Sequence, residues 1–125
     1  EGILPALEPA HAIHALIDAV EHEARAHAMG APLAQMAEAL RRATAAMLAM
    51  DLNDRFGGAV PYLMGFARSL GGLYHLRAAA GGDAPRVALA RVYIDRLLPE
   101  AGGLLAQAQQ GAAGLYDLSP DDLSA

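Results

Sequence analysis

The stretch VPYLMGFARSLGGLYHLRAAA (Val60–Ala80), followed by a Gly81-Gly82-Asp83 turn and then ARVYIDRLLPEAGGLL (Ala90–Leu105), decides the fold. In the first segment Leu63, Phe66, Ala67, Leu70, Leu73, Tyr74 and Ala78 recur at helical spacing, and Arg68 with His75 makes the polar strip. So wide an apolar arc predicts the most buried helix of a bundle, over about Ala59 to Ala80, with a start before Pro61. In the second, Val87, Ala90, Ile94, Leu97 and Leu98 share one side of a helix that opens near Pro85. Pro99 lacks an N–H and crowds the carbonyl of Asp95, which predicts a kink or break there.

Working outward, Glu1 to Glu8 reads as an entry linker, with Pro9 suited to the first turn of a helix that runs to about Ala28. Ile13, Leu16, Ile17, Val20 and Ala24 mark its apolar face, and Gly30 its stop. A second helix runs from Pro32 to Met50 with a narrow seam of Leu33, Met36, Leu40, Ala43, Met47 and Met50. Glu38 with Arg41 and Arg42 supplies ion pairs on its wet side. Asp51-Leu52-Asn53-Asp54 is a polar break rich in capping residues. Ala101 to Leu115 carries Gly102, Gly103, Gly111 and Gly114 and is a weaker helical pattern. Ser119-Pro120-Asp121-Asp122 has the composition of a helix start with little chain left to follow it. No strand-like alternation occurs. The expected class is all-α: an antiparallel bundle of four principal helices with proline kinks, spanning 9–118 between the linker at 1–8 and a tail at 119–125.

Composition narrows the chemistry. The 125 residues suit one domain, and 54% are hydrophobic, much of this alanine. A core of Ala, Leu, Val, Ile and Met is thin, so its helices must approach closely. The net charge of −5, with no lysine, gives no basic surface for nucleic acid. Cysteine is absent, which excludes disulfides, thiolate metal sites and cysteine nucleophiles. The longest uncharged run, Ala101 to Tyr116, is too short and too rich in glycine and glutamine to span a membrane. With no targeting segment, the expected location is cytoplasmic. The missing initiator methionine, with Pro5 and Pro9 in a short entry segment, suggests a piece of something longer.

Candidate sites are few. His11, His14, Asp18 and His22 share the face of the first helix opposite its apolar side, a spacing that can offer two ligands to a metal. No second element supplies the third, so the stripe reads as a solvated face and the expected metal set is none. His27 sits where the helix dipole favours a cation. Gly71-Gly72 follows no strand and matches no phosphate-loop pattern. With Ala67, the pair is expected to let a neighbouring helix backbone approach. Arg77 either snorkels from the apolar arc or pairs with an acid on a partner surface. Arg91 and Asp95 read as an i,i+4 ion pair. Asp121 and Asp122 lie in a polar tail, and Ser69, Ser119 and Ser124 have no accompanying His-Asp arrangement. The expected catalytic and cofactor-binding sets are therefore also none.

Pro61-Tyr62-Leu63, Gly65, Gly71-Gly72, the alanines 78–80, Arg91, Tyr93 and Leu98-Pro99 occur in an order and spacing that resembles the C-terminal accessory domain of bacterial acyl-CoA dehydrogenases. The branch resembled includes 3-methylmercaptopropionyl-CoA dehydrogenase-like enzymes. The resemblance spans roughly Leu33 to Leu123. It implies a parent flavoprotein oxidoreductase of fatty acid metabolism, in which a glutamate base removes an α-proton and FAD accepts the β-hydride. Neither the base nor the FAD-binding residues fall on positions of this chain. It further implies a helical appendage packed on the catalytic core, at subunit contacts or at the acyl-CoA entrance of a homo-oligomer, with apolar surface around Tyr62, Tyr74 and Tyr93 as the docking face. The alternative is a free-standing helical interaction module without enzyme activity.

Overall fold

Asp51 sets the start of the longest helix: its carboxylate accepts a hydrogen bond from the Asp54 N–H at 2.9 Å, satisfying one free donor of the first turn. The computed structural model describes the backbone of residues 4–115 and 117–124, with side chains from residue 10 onward. Helices α1 (Leu4–Arg25), α2 (Ala31–Ala49), α3 (Leu52–Ala80), α4 (Ala84–Val92) and α5 (Glu100–Gln109) are joined by short turns. A π-helical turn, Tyr93–Leu97, links α4 to α5, and a one-turn α6 (Pro120–Leu123) follows. Among the described residues there is no strand, so the all-α expectation holds. The expected count of four principal helices is corrected to five, because Glu100–Gln109 is helical despite its glycines.

The boundaries shift for physical reasons. Helix α1 begins at Leu4, so most of the expected linker is helical, while residues 1–3 lie outside the described ones. Helix α3 begins seven residues before Ala59 and runs through Pro61 without interruption. The sequence presents Asp51–Asp54 as a break, and Gly57-Gly58 just after it have a tertiary purpose. A Cβ on Gly58 would lie 2.4 Å from the Ala108 carbonyl oxygen, and one on Gly57 would lie 2.7 Å from that of Gly111. Glycine is required where the backbone of α5 and its following turn touch α3. Asp54 completes the junction by accepting the Ala112 N–H at 3.0 Å.

At Pro99 the helix is rewound. The Leu98 N–H donates to the Tyr93 carbonyl at 2.8 Å, an i→i+5 bond, and Pro99 then opens α5 as its N-cap. A π-turn takes in one extra residue, which relieves the crowding that proline imposes on the preceding turn. The same turn alters the α-helical register between Arg91 and Asp95, and no ion pair joins them.

The core has two adjoining parts. Val20, Ala24, Leu33, Leu73, Leu76 and Leu98 build one; Ile17, Ala37, Leu40, Ala43 and Leu105 build the other; Met36 packs against both. The α2 seam is thus confirmed, with Leu33, Leu40 and Ala43 buried. Leu16, expected inside, is 44% exposed at the edge of the α1 face. Among the described residues two polar side chains are buried and satisfied. Ser69 Oγ donates to the Gly65 carbonyl. Thr44 Oγ1 donates to the Leu40 carbonyl, so the Tyr62 hydroxyl 2.7 Å away donates to Thr44.

The expectation that Ala67, Gly71 and Gly72 meet a helix backbone is corrected. Gly71 lies under the Tyr93 hydroxyl, 2.3 Å from where its Cβ would be. Gly72 faces the methyls of Ile94, Leu98 and Leu33 at 3.6–3.7 Å, and Ala67 is exposed. Two glycines that look alike in sequence therefore differ in tolerance. Gly58→Ala should lower stability by roughly 1–3 kcal/mol, because backbone must move to admit a methyl. Gly72→Ala, whose methyl enters ordinary van der Waals space, should leave the denaturation midpoint unchanged or raise it. Equal midpoints for the two variants in urea titrations would contradict this assignment.

Candidate functional site

Helix α3 has two unlike faces. Gly58, Gly65, Ser69, Gly72, Leu73 and Leu76 are buried against the other helices. On the other side Leu52, Phe56, Val60, Leu63 and Tyr74 are each between 63% and 71% exposed, with Ala67 between them and Met64 beside them. At 100° per residue the stripe falls within an arc of about 80° and runs about 33 Å along the helix. The expected most-buried helix is therefore buried on one face only. Its wide apolar arc serves two partners, one inside the chain and one face open.

The charges that border the stripe are held within the chain. Arg55 donates to the carbonyls of Met47 and Leu48 at 2.9 and 2.7 Å, at the C-terminal end of α2 where a cation is favoured. Arg68 pairs with Glu100 at 2.9 Å. Arg77 makes a two-pronged contact to Glu23, both distances 2.6 Å, while its guanidinium lies 5.6 Å from the Tyr74 ring centroid. Arg77 thus pairs with an acid of its own chain. What remains open on the stripe is apolar carbon.

The tyrosines divide differently from the sequence expectation. Among the described tyrosines only Tyr74 belongs to the exposed face. Tyr62 is half-buried on Thr44, and Tyr93 is half-buried, stacked on His75 at 4.4 Å and donating to the Arg68 carbonyl at 2.8 Å. Burial raises the pKa of the Tyr93 hydroxyl. Leu52 and Phe56 fall outside the expected helix because Asp51-Leu52-Asn53-Asp54 reads as a polar break, and Val60, inside it, is not part of the expected apolar arc. The signal that could have found them is the four-residue step from Leu52 through Phe56 to Val60.

The histidine face is not organised around a ligand. His11 and His22 are exposed, His14 is half-buried, and Asp18 is engaged by Arg41 at 2.8 Å. Arg41 also binds Glu21 and reaches Glu38 at 3.4 Å, tying α2 to α1; no ion pair from Arg42 is present among the described residues. No three His, Asp or Glu side chains among the described residues are placed to hold a metal. His27 lies in the turn after α1 with its Nε2 at 3.7 Å from Glu23. Nor do the described residues bring an acid, a base and a nucleophile together. Ser69 donates into its own helix, and Asp122 receives the N–H and hydroxyl of Ser119. The glycine pairs of α3 are occupied by the chain itself: Gly57 and Gly58 by the Gly111 and Ala108 carbonyls, Gly71 by Tyr93, and Gly72 by the methyls of Ile94, Leu98 and Leu33.

The arginine contacts have a pH signature. Hydrogen bonds from Arg77 lower the Glu23 pKa, and those from Arg25 and Arg41 lower that of Glu21, from an ordinary value of 4.5. A depressed carboxylate contributes stability above its unfolded pKa and loses it as the pH falls through the folded value. Stability should therefore decline as pH drops below about 4.5, and Glu23→Gln should flatten that decline. Parallel urea titrations at pH 7 and pH 3 check this; an equal pH response in variant and parent would remove the Glu23 contact from the account.

No curated protein and no solved structure matches the chain. The profile of one family, described as acetyl-CoA dehydrogenase C-terminal like, matches residues 10–119, from α1 to the residue that precedes α6. That span takes in α1 from Ala10 onward, the four helices packed with it, the π-turn and the open stripe, and by it the chain belongs to the acetyl-CoA dehydrogenase C-terminal-like family.

Proposed function

We propose that this chain is the non-catalytic helical C-terminal domain of a FAD-dependent acyl-CoA dehydrogenase, and that it packs on the catalytic core or at a subunit interface of that enzyme. The observation that carries the reading is the open stripe of α3, an apolar surface on a member of an acyl-CoA dehydrogenase C-terminal family. Contiguous exposed apolar surface of this extent marks a partner. In this reading the chain supplies contact surface, and proton abstraction and hydride transfer belong to the parent's core. The branch with 3-methylmercaptopropionyl-CoA dehydrogenase-like enzymes remains the one whose pattern the chain resembles, in cytoplasmic fatty acid metabolism. No helix among the described residues is long and apolar enough to cross a membrane.

The test is truncation of the parent. Removing the region that corresponds to residues 10–119 from a flavoprotein that ends in this chain should lower its melting temperature or change its subunit mass. Turnover per intact active site should change less. The isolated chain should carry no flavin absorbance. Loss of turnover with assembly and stability intact would place the domain at the active site. Unchanged assembly, stability and turnover would point to a separate interaction module.

A further inference from the structure

We infer that the α3 stripe is a self-complementary seam that pairs two copies of this chain, antiparallel, about a two-fold axis at Leu63. The inference rests on the reading of the stripe as a docking surface and names its occupant as a second copy.

Area supports it first. Leu52, Phe56, Val60, Leu63 and Tyr74 at 63–71% exposure, with Met64 at 45%, leave on the order of 700 Å² uncovered, close to the ~800 Å² that each partner gives to a standard interface. The order of side chains supports it second. Bulky Leu52, Phe56 and Val60 fill the N-terminal half of the stripe, while the C-terminal half holds the small Ala67 and one bulky residue, Tyr74. Leu63 lies midway between Leu52 and Tyr74. Antiparallel pairing about Leu63 sets Leu52 of one copy against Tyr74 of the other, and Phe56 and Val60 on either side of Ala67 and over a shallow cavity of about 290 Å³. Met64, Ala67, Arg68 and Tyr93 frame that cavity. Parallel pairing would instead set every bulky residue on its own copy and leave the cavity unfilled. An isologous contact needs a patch that carries its own complement, and this stripe does.

Charge supports it third. Arg55, Arg68 and Arg77 along the rims are satisfied by Met47, Leu48, Glu100 and Glu23 of the same chain. An oppositely charged partner finds no free cation there, whereas a second copy brings the same neutralised rims. The net charge of −5 per chain opposes pairing, and salt screens that repulsion, so association should hold or strengthen as ionic strength rises.

Sedimentation equilibrium of the chain should show a mass rising toward twice 12.9 kDa. Leu63→Arg and Leu63→Glu should each stay at the single-chain mass, because like charges meet at the axis, and an equimolar mixture of the two should regain the double mass. Leu63 is exposed, so both variants should keep the parent's circular dichroism. With no native cysteine, Leu63→Cys gives a single thiol. Under mild oxidation it should form a disulfide-linked pair faster than Leu89→Cys on the exposed side of α4. A chain that stays monomeric, a mixture no heavier than its components, or equal cross-linking at 63 and 89 overturns the seam. A monomeric chain leaves the accessory-domain reading to the truncation result. A dimeric chain whose removal leaves the parent indifferent overturns that reading and supports the seam.

Discussion

The contact on which the rest depends is the one between the glycine pair of α3 and the carbonyls of Ala108 and Gly111. A core built from alanine and aliphatic side chains offers little bulk to fill space, so cohesion comes from proximity. At Gly57 and Gly58 there is no side chain to hold α5 away, and the Asp54 carboxylate fixes the distance by receiving the Ala112 N–H. Leu105 then packs where Gly65 leaves room, and the lower half of the core closes around Ile17, Leu40 and Leu105. At the other end Gly71 admits Tyr93, which holds the π-turn against α3. Three glycine sites along one helix thus set how close every later element can come.

The charged residues follow a consistent division. Arginines near the open stripe are turned toward partners inside the chain, and α1 and α2 are joined by Arg41 across Asp18 and Glu21. Such exposed pairs contribute little individually. Their collective effect is to leave a long face of α3 without competing ionic contacts, so what meets that face is selected by shape and apolar area.

Periodicity made much of this legible. The α2 seam, the α1 face around Ile17, Val20 and Ala24, and the interruption near Pro99 all follow from spacing and from proline geometry, and the structure has them in those places. Three features escaped it. Helix α3 reads short because Asp51–Asp54 looks like a break, while the meaning of the glycine pair that follows lies in a carbonyl 50 residues away in sequence. Helix α5 reads weakly because its glycines are weighed by their local cost. The third is the docking face: periodicity reports that an arc is apolar but not which part the rest of the chain covers. Leu63 and Leu73 are alike in sequence terms, yet one is open and the other is closed over by the core. That difference is tertiary.

The π-turn at Tyr93–Leu97 also bears on how this chain tolerates change in length. A π-turn holds one residue more than the α-helical turn it replaces. Loss of a single residue there would restore ordinary winding and leave everything downstream facing as it does now, because an α-helical turn completes the same circle with one residue fewer. Ala101, Leu105 and Ala108 would keep their inward face, while the crowding that Pro99 imposes on the preceding turn would return. A deletion inside an unbroken helix such as α3 has no surplus residue to give up, and it would turn the half that follows by about 100° against the core. Between Tyr93 and Leu97 the chain carries that slack, and relatives that share its packing should differ in length there sooner than within α3.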